Sequence, residues 1–317
     1  MRMNRMKTLW CLFLCFITGA LHAQEPLVFV PHWLPQAQFA GYYVAEANGY
    51  YRDAGLNVEI RHSRAGGTLL DRVRKGENIL LSLQLVTAMR LIDEGCHLVN
   101  VLQYFQQNSQ IVISHYPIKG VRDLSGMRIG HFRNGSSELL FAMARQYKLN
   151  VEWVPFLSNT NLFVSGAIDA TLAMSYNELF QLRMAGQRIK PNHMLRLSDV
   201  GYDVPEDGLY VNADYYKQRK AEIDKFAAAT RKGWEWAAAH PDDALEVVLL
   251  YMRQNGVAAN RILQRWMLNE CIKLLGEKKS GRRSYRLSEN GVQLANKVLN
   301  EGGIISHPVT YNYITQP

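Results

Sequence analysis

The sequence predicts an α/β protein of two lobes, each a mostly parallel sheet flanked by helices, with a helical C-terminal part packed on the first lobe. Three observations carry that expectation. Short apolar runs alternate with helical patterns up to about residue 185. The gaps between runs are long enough for crossover helices, which parallel strands require and hairpins do not. Past Asp207 the pattern turns almost wholly helical.

Residues 1–23 stand apart from the fold. Arg2, Arg5 and Lys7 precede an apolar run from Leu9 to Leu21, and Leu21-His22-Ala23 offers a small residue before Gln24. This is the three-part pattern of a secretory signal peptide, and the run is short for a bilayer span. A retained anchor is the alternative, but the flank after it is not basic. Cys15 follows Leu14, where a lipoprotein signal needs a small residue. Removing the leader lowers the formal charge from +8 to a mild +5. Basic residues are scattered apart from Lys278-Lys279-Ser280-Gly281-Arg282-Arg283, without interleaved aromatics, so no nucleic-acid partner is expected. Cys11 and Cys15 leave with the signal. Cys96 and Cys271 remain, read as two buried thiols, although export permits a disulfide. No Cys/His spacing suggests a metal, and no later stretch is apolar enough to cross a membrane.

Strands are expected at 27–30, 57–61, 79–83, 98–104, 111–114, 128–131, 151–155, 170–174 and 208–211. Helices are expected at 38–51, 67–75, 85–94, 136–147, 160–165, 177–185, 221–239, 244–254, 260–275 and 289–300. Pro241 suits the first turn of its helix, because its missing N–H has no partner there. The order suggests an inserted lobe over 113–205, with 24–112 and 206–317 forming the other. A single open sheet fits the same pattern.

In open α/β sheets ligands lie beyond the carboxyl ends of strands, where helix N-termini expose N–H groups. The residues at those joints are His32 and Trp33, Gln84, Tyr104, then Asn134, Gly135 and Ser136, then Tyr176, Asn177 and Glu178. Aromatic faces beside amides, hydroxyls and one carboxylate suit a flat ring with polar edges. Each has a structural alternative. Trp33 could fill the space between strand and helix, 134–138 could be a turn and cap, and Glu178 favours a helix's first turn without any ligand. No nucleophile elbow, phosphate loop or His-Glu-x-x-His pair is present. Ala65-Gly66-Gly67-Thr68 lacks the lysine or third glycine of a nucleotide motif. No catalytic group and no cofactor are expected.

Trp33-Leu34-Pro35, Gly41-Tyr42-Tyr43-Val44-Ala45 and Gly49-Tyr50-Tyr51 resemble the opening of a known superfamily. It comprises the thiamine-pyrimidine-precursor binding proteins of ABC transporters and the related fungal thiamine-pyrimidine synthases. Residues 123–130, Asp-Leu-Ser-Gly-Met-Arg-Ile-Gly, and 165–170, Ser-Gly-Ala-Ile-Asp-Ala, are similar to two further segments, followed by Tyr176-Asn177-Glu178. The resemblance covers about residues 27–255 and implies the type II periplasmic binding protein fold, with a cleft that closes on its solute. It implies that Trp33 stacks on an aminopyrimidine, and that Glu178 pairs with the ring nitrogen and amine beside Tyr176 and Asn177. It further implies a monomer in the periplasm that delivers a pyrimidine-like solute to a permease. One departure concerns specificity: Gln36-Ala37-Gln38-Phe39 stands where the family has asparagines and a histidine. The fungal enzymes use a histidine after the third strand and a late cysteine cluster. Residues 81–90 hold no histidine and 197–210 no cysteine, so a binder rather than an enzyme is expected. Sulfonate or flavin binders on the same fold are the alternatives. An acidic, aromatic cleft would favour the pyrimidine and a basic one the anion.

Overall fold

The structure is a computed structural model that describes residues 25–62, 69–133, 135–157, 160–278 and 280–315. The leader, residues 65–68, Asn134 and residues 158–159 lie outside the described residues.

In the first lobe the chain runs β1 (Leu27–Val30), α1 (Ala40–Ala47), α2 (Tyr50–Asp53), β2 (Val58–Ile60), α3 (Leu69–Arg74), β3 (Leu80–Gln84), α4 (Leu85–Asp93) and β4 (Leu98–Gln103). It then crosses to β5 (Gln110–Ser114), β6 (Arg128–Phe132), α5 (Glu138–Gln146), β7 (Glu152–Phe156), α6 (Asn161–Val164), β8 (Ala170–Met174), α7 (Glu178–Met184) and β9 (Met194–Arg196). A second crossing returns it to β10 (Asp207–Asn212). The helices α8 (Ala213–Gln218), α9 (Lys220–Ala239), α10 (Pro241–Gln254), α11 (Arg261–Leu274), α12 (Glu289–Glu301) and α13 (Tyr311–Ile314) follow.

The two sheets have orders β2-β1-β3-β10-β4 and β7-β6-β8-β5-β9. They share one pattern. In each, the strand that enters after a crossing, β10 or β5, runs antiparallel to both neighbours, and the remaining strands run together. β5 starts at Gln110, three residues before the boundary expected from sequence. β9, α8 and α13 were hidden in sequence because each is too short to show a period.

The helix expected at 38–51 is broken. Ala37–Phe39 forms a 3-10 turn, and α1 and α2 are separated at Gly49, whose φ of +73° suits a residue without Cβ. α1 packs against α9 and α10 over the first sheet. The C-terminal helices do more than cover that lobe, since α11 also contacts α7, and α12 contacts α5 of the second lobe. Trp266 of α11 stacks on Phe180 at 5.0 Å and donates its indole N–H to the Ser175 carbonyl at 3.1 Å. Cys96 and Cys271 are both free, Cys271 buried and Cys96 half-buried.

The α1–α9 contact sets the position of everything that follows β1. A Cβ on Gly233 would lie 2.0 Å from the Gly41 carbonyl oxygen, and one on Gly41 would lie 2.3 Å from the Trp234 ring. Glycine to alanine inside a helix ordinarily gains about 1 kcal/mol. Here the overpacking outweighs that gain, so Gly233→Ala lowers unfolding stability by about 1–3 kcal/mol in a urea titration.

Candidate functional site

β1 and β3 point their carboxyl ends at those of β6 and β8, and the joints after them enclose a cleft of about 720 Å³. The first lobe lines it with Trp33, Leu34, Gln84 and Arg90, and the second with His131, Phe132, Ser136 and Glu138. Behind it lies a smaller chamber of about 30 Å³, lined by Gln36, Gln38, Met174, Tyr176, Asn177 and Glu178. His32, Trp33, Gln84, Phe132 and Ser136 line both spaces.

Trp33 is half-buried and stands edge-on to Phe132 of the other lobe, ring centroids 6.0 Å apart at 87°. Its loop is pinned by a residue that sequence reasoning missed. His62 Nδ1 lies 2.8 Å from the Trp33 carbonyl, which can only accept, so Nδ1 carries the proton. Nε2 then accepts from the Tyr43 hydroxyl at 2.8 Å. Burial pushes the His62 pKa down to about 4, against the raising effect of its bond to Trp33, so the ring stays neutral. Tyr43 is itself held by stacking on Tyr251 at 3.9 Å.

His32 sits over the strand end, its backbone N–H and its Nδ1 3.0 and 2.8 Å from Ser82 Oγ. Gln84 Oε1 accepts from Gln110 Nε2 at 3.2 Å, a bond between the lobes. Gly135 and Ser136 both adopt positive φ, +100° and +63°, and turn the chain from β6 into α5. Glu178 is buried at the start of α7. One oxygen accepts from the Met174 N–H at 2.8 Å and the other from Asn177 Nδ2 at 2.7 Å. Burial raises its pKa to about 7, and those bonds oppose the shift.

Tyr104 is the exception among the sequence candidates. It is fully buried, stacked on Trp234 at 5.6 Å, and lines neither space. The strand ends one residue earlier than expected, and Tyr104 turns into the core under α9. Asn134 lies outside the described residues.

Besides His62, the structure adds Phe132, the Gln36–Gln38 pair and an interlobe latch. Arg90 Nε meets Glu138 Oε1 at 3.1 Å, and Thr87 Oγ1 donates to the same oxygen at 3.0 Å. Phe132 could have been found as the last residue of an apolar strand. The others depend on contacts far apart in sequence. Trp33 and Phe132 already touch edge-on, so they leave no slot between parallel faces; what the cleft offers is the aromatic surface of Trp33 with polar side chains beside it. Among the described residues no cluster of three or more His, Cys, Asp or Glu could hold a metal, and no helix is long and apolar enough to cross a membrane.

A model of the NMT1/THI5-like family matches residues 36–244. The chain belongs to that family. Among curated members of similar sequence is the riboflavin-binding protein RibY of Chloroflexus aurantiacus, 24% identical, with 87% of this chain and 81% of that protein covered. The formylaminopyrimidine-binding protein of Halalkalibacterium halodurans is 25% identical, with 81% and 78% covered. Among solved structures, the periplasmic aliphatic sulphonate binding protein SsuA of Escherichia coli superposes with a TM-score of 0.63 at 15% identity, covering 92% of each chain. This NMT1/THI5-like chain thus has the periplasmic binding protein fold.

The buried groups dictate how stability responds to pH. A raised carboxyl pKa means that the folded state keeps a proton the unfolded chain has lost, so Glu178 costs stability as pH rises from about 4.5 through about 7. Glu206 is raised by burial and by Asp207 beside it, and acts in the same direction. The lowered His32 and His62 act oppositely, and only below about 6.5. Between pH 6.5 and 8 the carboxylates act alone. The midpoint of thermal unfolding therefore falls over that interval, and Glu178→Gln makes the fall shallower.

Proposed function

We propose that the chain is the exported binding component of an ABC importer and takes a thiamine-type aminopyrimidine against Trp33, without catalysing a reaction. One observation carries the reading: an aromatic wall at a strand's carboxyl end lines the cleft, braced edge-on by an aromatic of the other lobe, with amides and a buried carboxylate beside it. Such a site suits a flat nitrogen heterocycle. The formylaminopyrimidine-binding relative supports the choice of ring. The leader at residues 1–23 supports export, and a permease would then be the partner of the closed, monomeric form.

A sulfonate is the weaker reading. The arginines lining the outer cleft are mostly engaged: Arg74 by Asp71 and Glu94, Arg90 by Glu94 and Glu138, and Arg145 by the Gly303 carbonyl. Among the described residues only Arg133 there makes no side-chain hydrogen bond or ion pair. Glu138 also occupies the first turn of α5, where an anion would gain most. A flavin has a specific point in its favour. The outer space exceeds what one pyrimidine ring needs, and the riboflavin-binding relative matches over most of this chain.

A thermal-shift panel on the chain from Gln24 onward separates these solutes. Hydroxymethyl- or formylamino-pyrimidine at a hundredfold excess over Kd stabilises the protein by about 2.7 kcal/mol. Trp33→Ala abolishes that gain while the ligand-free midpoint stays. A response to alkanesulfonate alone would overturn the reading, and a response to riboflavin alone selects the flavin. Collapse of ligand-free Trp33→Ala would make Trp33 a core residue.

A further inference from the structure

Three buried side chains behind Trp33 form a line with a defined direction. Asp207 opens β10 and is fully buried, and it lines neither space. Its Oδ2 receives Gln38 Nε2 at 2.7 Å and the Tyr104 hydroxyl at 3.4 Å. Gln38 Nε2 also lies 3.3 Å from His32 Nε2, and Gln38 Oε1 accepts from Gln36 Nε2 at 2.6 Å. Gln36 and Gln38 both line the inner chamber beside Glu178 and Asn177.

A carboxylate oxygen only accepts, whereas a carboxamide has one accepting and one donating end. Burial favours the protonated form of Asp207, His32 and the Gln38 and Tyr104 donors favour the carboxylate, and the carboxylate obliges Gln38 to turn its NH₂ inward. The Gln38 oxygen then faces Gln36, which must turn its own NH₂ toward it. The free end of Gln36 is its oxygen. Among the described residues nothing else bonds the Gln36 carboxamide, so this line alone decides which end meets a solute.

We propose that Asp207, acting through Gln38, fixes the Gln36 oxygen toward the cleft and so selects solutes that present an N–H donor, such as a ring amine, over those that present a ring carbonyl. Asp207 and Gln38 are positioning residues, and Gln36 makes the discriminating contact. A ring carbonyl placed there would set two acceptors together and leave both without a donor, which a buried site penalises heavily. The inference rests on the pyrimidine reading and deepens it. It also accounts for the departure at 36–38. An asparagine at 36 would be one methylene shorter, whereas glutamines at both positions reach each other and Asp207.

The test uses two probes identical except at one ring position, hydroxymethyl-aminopyrimidine and its oxo counterpart, titrated calorimetrically into the wild-type chain and into Gln38→Met and Gln36→Met. The wild type should favour the amine at least about tenfold, equivalent to about 1.4 kcal/mol. Gln38→Met, with Gln36 free to turn, should bring the ratio within about threefold, as should Gln36→Met. A folded Gln38→Met with the wild-type ratio, or a wild type that favours the oxo probe, overturns the proposal. Side-chain carboxamide NMR of the ligand-free chain decides the same point without ligand. Asp207→Asn should shift the carboxamide resonances of both Gln38 and Gln36, and a Gln36 signal that does not move overturns the relay. If the wild type binds neither probe, the pyrimidine reading falls, and the NMR result still decides the relay. That spectrum decides equally if Gln38→Met fails to fold.

Discussion

The two chain crossings meet at a pair of buried carboxylates, and the rest of the molecule is built around that meeting. Glu206 and Asp207 are adjacent and buried, burial raises the proton affinity of both, and Asp207 raises that of Glu206 further. Such a pair persists only where the surroundings satisfy it. Ser109, on the outbound crossing, donates both its N–H and its hydroxyl to Glu206, at 2.6 and 2.9 Å. The backbone closes the same junction: Glu206 N–H reaches the Phe105 carbonyl, and Phe105 N–H reaches the Asp207 carbonyl, each at 3.0 Å. The outbound and return strands are thereby tied at one height. That tie fixes where β3 and β8 end, and hence where the cleft lies. Asp207 turns Oδ2 to Gln38 in the wall of the chamber, while its Oδ1 has no hydrogen-bond partner among the described residues.

Much of this was legible in the sequence, and the parts that were not share a cause. The nine strands expected up to β10 appear within a residue or two, because a buried strand announces itself by local apolar runs. Trp33, His32, Gln84, Ser136, Asn177 and Glu178 reach the cleft or chamber because a strand's carboxyl end is also a local feature. Tyr104 shows the limit of that rule. Whether a residue at a strand end faces ligand or core depends on what covers it, and here Trp234, 130 positions along, does so. His62 and Asp207 were missed for the same reason. Asp207 acts on a residue 169 positions away, and His62 on a carbonyl 29 positions away. A histidine that orients a backbone carbonyl leaves no periodic trace.

The lobes touch through more than a solute could supply. Trp33 meets Phe132, Arg90 meets Glu138, Gln84 meets Gln110, and α11 and α12 lean on the second lobe. Closure therefore already has a network of its own. A solute can shift an open–closed equilibrium only by its difference in affinity for the two states. The interlobe ion pair contributes little beyond its desolvation cost, and Glu138 Oε2 remains buried without a partner. The contact between Trp33 and Phe132 is already formed, so it belongs to that network rather than waiting for a solute. On the proposed reading, a solute against Trp33 adds its contacts to a junction that the chain has already made, and shifts the lobes only by what it gains there.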